Sequence, residues 1–154
     1  MQIQSVLCVC TGNICRSPLA EGLIRRDAPA MKVASAGIGA VVGGKMPEAA
    51  AAIATREGLA LDAHRGQQVT RPMLQAFELV LVMEAAQKDW LCGQFPESRG
   101  RVFLTSHWTG GEDIIDPYRL SDDVFESAYA EIEKGVSAWL ARLQPATAAN
   151  HGAG

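Results

Sequence analysis

Bilayer-spanning runs, basic blocks and a secretion signal are all missing from this sequence. No apolar stretch is long enough to cross a membrane and no signal-peptide pattern occurs, so we expect a cytoplasmic protein without membrane insertion. The net charge is −3 and lysine and arginine form no block, which argues against nucleic acid as a partner. With 154 residues, 48% of them hydrophobic, the chain suits a single domain with its own core.

Cysteine is also scarce. The four thiols of Cys8, Cys10, Cys15 and Cys92 do not form the disulfide framework of a secreted protein in a chain of this size. A metal site is disfavoured because the first three lack a second ligand pair and Arg16 would put positive charge beside the cation. We therefore expect no metal and no other cofactor, and we expect Cys8 and Cys92 to pack in the interior.

The most informative pattern lies in residues 9–18, VCTGNICRSP. The apolar, β-rich run that ends at Val9 predicts a buried strand. Ser17 followed by Pro18 predicts a helix N-cap and the first helical position. The segment between them is then a loop that leads from a strand into a helix N-terminus.

This loop has the composition of an anion cradle. A helix N-terminus presents unpaired backbone N–H groups, Gly12 is expected to let the loop curl so that they converge, and Arg16 adds a planar fork. The same field favours the ionised thiolate of Cys10, which could attack a bound phosphorus atom. Alternatively, Cys10 is only a small buried residue at a strand end, but that leaves the rest of the pattern unexplained.

Residues 9–18 resemble the signature V-C-x-G-N-I-C-R-S-P of the low-molecular-weight protein tyrosine phosphatases, and the resemblance covers about residues 3 to 143. It implies that Cys10 is the nucleophile, that a phosphocysteine forms, and that Arg16 stabilises the transferred group. It further implies that Asn13 braces the loop and that Ser17 hydrogen-bonds the sulfur. The predicted substrate-binding residues are Thr11, Gly12, Asn13, Ile14, Cys15, Ser17 and Tyr118.

A phosphate ester also needs a proton donor for its leaving oxygen. Asp116 is the best candidate, because Pro117 holds it in an extended conformation and the family carries its general acid in an Asp-Pro pair followed by an aromatic residue. An ordinary Asp-Pro turn is the alternative from local sequence alone. Glu112 and Asp113 are rivals without the proline. The implied mechanism predicts a bell-shaped pH profile on the acidic side of neutrality.

Two further residues are singled out by their position. Cys15 lies in the same loop as Cys10, and the family implies a reversible disulfide between them that protects the nucleophile. Cys92 is left open as an alternative partner, and Cys15 could simply fill space. The family also implies that a histidine near His64 supports the loop, whereas a lone surface histidine is the plainer interpretation.

The rest of the chain predicts one α/β domain over residues 1–144: a central four-stranded parallel sheet between two layers of helices, with the phosphate loop after the first strand. Residues 145–154 are predicted to be a disordered tail. The last helix is predicted from a cap at Ser121 and from an apolar stripe at helical spacing, which consists of Val124, Ala128, Ile132, Val136, Trp139 and Leu143. The remaining elements are predicted as strands near Ile3–Val9, Met31–Ala36, Phe77–Met83 and Arg101–Leu104, and as helices near Pro18–Arg26, Pro47–Glu57, Arg71–Ala76 and Ala85–Leu91.

The glycine-rich segment Gly39–Lys45 fits the start of a nucleotide-binding loop, but Met46 stands where a Mg²⁺-binding hydroxyl is needed. We interpret it instead as a wall of the substrate cleft. Residues 36–43 resemble the version found in bacterial capsule- and exopolysaccharide-associated members, which implies an aliphatic wall opposite Tyr118. The candidates for that wall are Ile38, Val41 and Val42.

The favoured function is therefore a protein tyrosine phosphatase that acts on a tyrosine autokinase of a polysaccharide export system, as a monomer or weak dimer. A protein arginine phosphatase is the first alternative, although its members tend to carry threonine where Ile14 stands. A thioredoxin-coupled arsenate reductase is the second, but it needs two cysteines beyond Cys15 and only Cys92 follows. A non-enzymatic phosphoprotein-binding or redox-sensing module would be favoured only if Cys10, Arg16 or Asp116 were missing.

Overall fold

The computed structural model describes residues 2–143, and the predicted tail at 145–154 lies outside the described residues. The fold is built on a parallel sheet of four strands in the order β2-β1-β3-β4. This confirms the predicted α/β class. The strands are β1 (Ser5–Cys10), β2 (Lys32–Gly37), β3 (Leu79–Val82) and β4 (Val102–Leu104).

Among residues 2–143, four α-helices and a short 3₁₀ helix connect the strands, and a fifth α-helix follows the last strand. They are α1 (Arg16–Asp27), α2 (Glu48–Arg56), α3 (Arg71–Ala76), α4 (Ala85–Gln94) and α5 (Asp122–Leu143), with the 3₁₀ helix at Pro96–Ser98. The predicted elements are all present, and their ends move by up to a few residues. The third strand starts two residues later than predicted, and α4 continues three residues beyond the predicted Leu91.

Strand β1 is buried along its whole length because helices cover both faces of the sheet. Alternate residues belong to two different apolar clusters. Cys8 and Cys10 join the cluster formed with α1, α2 and α5, whereas Leu7 and Val9 join the cluster formed with α3 and α4. The core is thus split by the sheet, and the loop after β1 emerges from its centre.

Helix α5 supplies the largest helical contribution to the first cluster. The predicted stripe is buried at Ala128, Ile132, Val136 and Trp139, as helical spacing requires. Its two ends, Val124 and Leu143, are only partly buried. Within residues 2–143, no helix combines the length and apolar character needed to cross a membrane.

Candidate active site

The loop after β1 curls back on the Cys10 sulfur. The backbone N–H of Asn13 donates to Cys10 Sγ at 3.3 Å, and Asn13 adopts a left-handed φ of 59°. Asparagine tolerates this conformation better than most residues. The prediction that Gly12 provides the curl was therefore wrong, since the left-handed turn falls on the next residue.

The start of α1 also differs from the sequence prediction. The helix begins at Arg16, Cys15 is its N-cap without a side-chain hydrogen bond, and Ser17 is inside the first turn. The Ser17 hydroxyl is not a cap because it faces the thiol, with Oγ 2.9 Å from Cys10 Sγ. Pro18 remains acceptable in the first turn, where backbone N–H groups lack helical partners.

Asn13 is fully buried beneath the loop and makes hydrogen bonds in three directions. Its Nδ2 donates to Ser17 Oγ at 2.8 Å and to Ser35 Oγ at 3.0 Å. Its Oδ1 accepts from the Gln67 N–H at 2.9 Å. Its carbonyl oxygen lies 2.7 Å from His64 Nε2, which must donate because a carbonyl oxygen only accepts. His64 is thus no lone surface residue.

The guanidinium of Arg16 is buried, with 1% exposure, and only one of its edges is occupied. Nη1 donates to Glu84 Oε2 at 2.5 Å and to the Ile114 carbonyl oxygen at 2.7 Å. Within the described residues 2–143, Nε has no partner, and Nη2 has only the distant Asp116 Oδ2 at 3.7 Å. A buried N–H without an acceptor is costly, so this free edge has the chemistry of an anion-binding fork.

Glu84 is a site residue that the sequence reasoning missed. It is the N-cap of α4 and forms a capping box with Gln87. The E-x-x-Q spacing after a strand could have located this helix start. It could not have revealed that the same carboxylate holds Arg16, because that contact joins residues 68 positions apart.

Asp116 lies at the mouth of the cleft on a loop with firm anchors. The Ile114 N–H donates to the Met83 carbonyl oxygen at 2.9 Å, and Asp116 Oδ1 accepts from the Tyr118 N–H at 3.1 Å. The side chain of Asp116 is 47% exposed, so it is accessible to a ligand.

The two rival carboxylates are directed elsewhere. Asp113 Oδ1 accepts from the Ala85 N–H at 2.9 Å, at the N-terminus of α4. Glu112 lines a separate cavity beside α5, with Glu131 and Lys134. Of the three candidate acids, only Asp116 lines the cleft.

The cleft has a volume of about 170 Å³. Asn13 and Ser17 lie beneath it and support its floor, so their contribution to substrate binding remains a prediction. The residues that line it are Cys10, Thr11, Gly12, Ile14, Cys15, Arg16, Gly39, Val41, Asp116 and Tyr118.

Val41 is the aliphatic residue of the cleft wall. Val42 is 74% exposed and does not line the cleft, and Ile38 packs on the apolar cluster of α3 and α4. The backbone N–H groups of Ile38, Gly39 and Val41 donate to successive carbonyl oxygens of the phosphate loop, at 3.0, 3.0 and 2.9 Å. With those donors already used, this segment is not free to cradle a nucleotide.

The cysteines occupy distinct environments, and all four are free thiols. Burial, and next the nearby Cys10, raise the pKa of Cys15 to about 12. Burial also raises the pKa of Cys8 well above its usual value. Cys92 is partly buried and packs on the opposite face of the sheet from Cys10. Among residues 2–143, no group of three or more His, Cys, Asp or Glu side chains is placed to hold a metal ion.

A parallel α/β sheet with cysteine and arginine at the two ends of the loop after β1 is the architecture of a Cys-x5-Arg phosphatase. The chain belongs to the low molecular weight phosphotyrosine protein phosphatase family, whose sequence model matches residues 5–149. The family predicted from the sequence is thereby confirmed, and the chain is a protein tyrosine phosphatase.

The chain is 42% identical to the probable low molecular weight protein-tyrosine-phosphatase AmsI of Erwinia amylovora, over 92% of this chain and 98% of the relative. It superposes on the tyrosine phosphatase Wzb of Escherichia coli K30, solved with sulphate, with a TM-score of 0.88 and 41% identity, covering 92% and 99% of the two chains. The arginine phosphatase YwlE of Geobacillus stearothermophilus is more distant, at a TM-score of 0.85 and 31% identity over 96% and 97%.

Proposed function

We propose that this enzyme hydrolyses phosphotyrosine in proteins through a phosphocysteine at Cys10. The observation that carries the proposal is the free edge of the buried Arg16 guanidinium. It faces a cleft that also contains the Cys10 thiol and the accessible Asp116 carboxyl group. A dianionic phosphoryl group would satisfy that edge with two of its oxygens.

In the first step, Cys10 Sγ attacks the phosphorus atom and the bond from phosphorus to the tyrosyl oxygen breaks. Asp116 transfers its proton to that oxygen, so that a neutral phenol leaves. Arg16 and the backbone N–H groups of the loop hold the three phosphoryl oxygens through the transition state. The product is a phosphocysteine and a dephosphorylated tyrosine.

In the second step, Asp116 takes a proton from a water molecule as its oxygen attacks the phosphorus atom. The bond between phosphorus and sulfur breaks, and orthophosphate leaves. The Cys10 thiolate that re-forms accepts hydrogen bonds from the Ser17 hydroxyl, at 2.9 Å, and the Asn13 N–H, at 3.3 Å. These two donors stabilise the thiolate as leaving group and prepare it for the next cycle.

The cleft favours an aromatic substrate. Val41 and Tyr118 both line it, and they are placed to contact a phosphotyrosyl ring. Phosphoserine is shorter, so its phosphate would not reach the floor. Ile14 also lines the cleft, where its branched apolar side chain suits the tyrosine version better than the arginine version.

For the physiological substrate, we propose a tyrosine autokinase of a capsule or exopolysaccharide export system. The support is the subgroup resemblance of residues 36–43, together with the similarity to AmsI and Wzb.

The proposed nucleophile must stay a reduced thiol, which favours the cytoplasm as the compartment. We keep monomer or weak dimer as the proposed oligomeric state.

We further propose Cys15 as the redox partner of Cys10. Peroxide would oxidise the Cys10 thiolate to a sulfenic acid, and Cys15 sulfur would then attack the Cys10 sulfur and expel water to form the disulfide. Both thiols line the same cleft, whereas Cys92 lies on the other face of the sheet. Replacing Cys15 by serine should make peroxide inactivation irreversible by dithiothreitol, and replacing Cys92 should not.

The decisive experiment compares the wild type with Cys10→Ser and Asp116→Asn on an aryl phosphate, without added metal. We expect Cys10→Ser to be inactive and Asp116→Asn to be slowed 10²–10⁴-fold, the usual range for a lost general acid. The loss should be smaller for nitrophenyl phosphate than for phenyl phosphate, whose leaving group needs the proton more. Phosphotyrosine, phosphoserine and phosphoarginine peptides then decide the substrate class. An inactive, fully reduced wild type would refute the proposal.

A further inference from the structure

The side chain of Gln87 is a buried amide with a fixed orientation. Its Oε1 accepts from the backbone N–H groups of Met83, at 2.8 Å, and Glu84, at 3.0 Å. Two converging donors require the oxygen at that end, so Nε2 is the atom that faces the phosphate loop. Nε2 donates to Thr11 Oγ1 at 3.1 Å, and Gln87 is only 1% exposed.

Thr11 therefore uses its hydroxyl oxygen as an acceptor, and its hydroxyl hydrogen is left over. Among residues 2–143, Thr11 Oγ1 has no hydrogen-bond partner besides Gln87. Thr11 lines the cleft together with Cys10 and Asp116. Because Thr11 is exposed, water can accept this hydrogen in the free enzyme, and an anion that occupies the cleft can take the place of that water.

We propose that the Thr11 hydroxyl is a catalytic donor to a phosphoryl oxygen and that Gln87 is the positioning residue that orients it. This inference rests on the proposed function, because it needs a phosphoryl group in the cleft. An amide that occupies one lone pair of the hydroxyl restricts the directions in which its hydrogen can point. The donor is then aimed before the substrate arrives, which is how preorganised sites lower a barrier.

The same short segment serves both side-chain donors. Gln87 fixes the backbone at Glu84, and the Glu84 carboxylate holds Nη1 of Arg16. The N-terminus of α4 therefore sets the position of Thr11 through one residue and of Arg16 through another. A role confined to tethering the loop to α4 is the alternative, and it predicts a loss of stability without a specific loss of anion affinity.

The test compares Thr11→Val, which removes the hydroxyl, with Thr11→Ser, which keeps it. We expect Thr11→Val to lower kcat/KM for an aryl phosphate about 10- to 100-fold, as for a lost hydrogen bond to a charged group. Competitive inhibition by inorganic phosphate should weaken in parallel, and Thr11→Ser should restore both. Thr109→Val is the matched control, since that hydroxyl donates to the Ser106 carbonyl oxygen at 3.2 Å outside the cleft.

Gln87→Glu tests the positioning role. Glutamate still accepts from the two backbone N–H groups, but its second oxygen accepts from Thr11 and turns the hydroxyl hydrogen away from the cleft. Its effect should be larger in the wild type than in the Thr11→Val background, where only the added charge acts. Equal effects in the two backgrounds would overturn the positioning role.

The catalytic role of Thr11 is overturned if Thr11→Val keeps the wild-type kcat/KM and phosphate inhibition. It is also overturned if Thr11→Ser loses as much kcat/KM and phosphate inhibition as Thr11→Val, because the hydroxyl would then make no difference. A wild type without aryl phosphatase activity would instead refute the proposed function, so the two failures are distinguishable.

Discussion

Arg16 and Ile114 are 98 positions apart in the chain, yet Nη1 of Arg16 donates to the Ile114 carbonyl oxygen at 2.7 Å. Ile114 stands two residues before Asp116 and is itself buried. The guanidinium at the floor of the cleft is thereby bonded to the loop that carries the candidate acid. The phosphate loop and the loop that carries Asp116 are thus linked through a backbone oxygen. A substitution of the Ile114 side chain would not remove this link.

The ion pair between Arg16 and Glu84 should stabilise the free enzyme. Glu84→Gln removes the carboxylate charge beside a buried cation, so we expect the free energy of unfolding to fall by about 1–3 kcal/mol. Saturating phosphate supplies a new anion for Arg16 and should recover much of this loss, as seen in thermal melts. The control is Glu97→Gln, which removes an exposed pair with Arg71 and should cost clearly less stability, because solvent screens that pair. A phosphate-induced shift equal to that of the wild type would contradict this account.

Gly37 has no room for a side chain. A Cβ atom there would lie 2.4 Å from the Thr11 carbonyl oxygen and 3.1 Å from the Asn13 nitrogen. Gly37→Ala should therefore displace the phosphate loop and lower kcat/KM at least about 10-fold, because small misplacements at a reacting centre are costly. Gly93→Ala, in α4 with open space around it, should keep full activity and gain about 0.5–1 kcal/mol in stability. Full activity in Gly37→Ala would contradict this prediction, because it would show that the phosphate loop can shift without a loss of kcat/KM.

Val41 and Val42 offer a matched pair at the cleft wall. Val41 lines the cleft and its neighbour does not. Val41→Ser should raise KM for an aryl phosphate about 3- to 10-fold through lost apolar contact with the ring, with little change in kcat. Val42→Ser should leave both constants near the wild type in steady-state assays. If both variants behave alike, the wall is elsewhere.

Cys15 should make the protein sensitive to alkali. Its thiol has a pKa near 12 in the folded chain, against an ordinary value of 9.0. The unfolded chain therefore ionises first, so this contribution to stability is complete below about pH 9 and is lost as the pH rises towards 12. The wild type should lose up to about 1.4 kcal/mol per pH unit more than Cys15→Ala over that window. Parallel unfolding curves at pH 8 to 11 would rule this out.

The sequence was sufficient to predict the fold because its signals were local. The apolar run of β1 and the stripe on α5 each specify one element and the face that it buries. Cys10, Arg16 and Asp116 were likewise predictable as a chemical set, and they do line one cleft. The sequence left three candidates for the residue of the cleft wall. The packing of Ile38 and the exposure of Val42 exclude these two, so Val41 is the wall residue.

The predictions from sequence were wrong or incomplete where tertiary contacts outweigh the local preferences of the residues. Ser17 followed by proline has the pattern of a cap, but its hydroxyl contacts the buried sulfur instead. Gly12 has the freer backbone, yet Asn13 takes the left-handed turn because its side chain is held by three partners. Glu84 and Gln87 carry no local sign of their contacts with the phosphate loop.

The cleft wall is joined to the phosphate loop through backbone hydrogen bonds at Ile38, Gly39 and Val41. Side chains take no part in these three links. Evolution can therefore exchange the residue that faces the substrate while the floor keeps its shape, as long as the positions that need glycine are respected. Substrate preference can therefore change in this small domain while its catalytic chemistry stays the same.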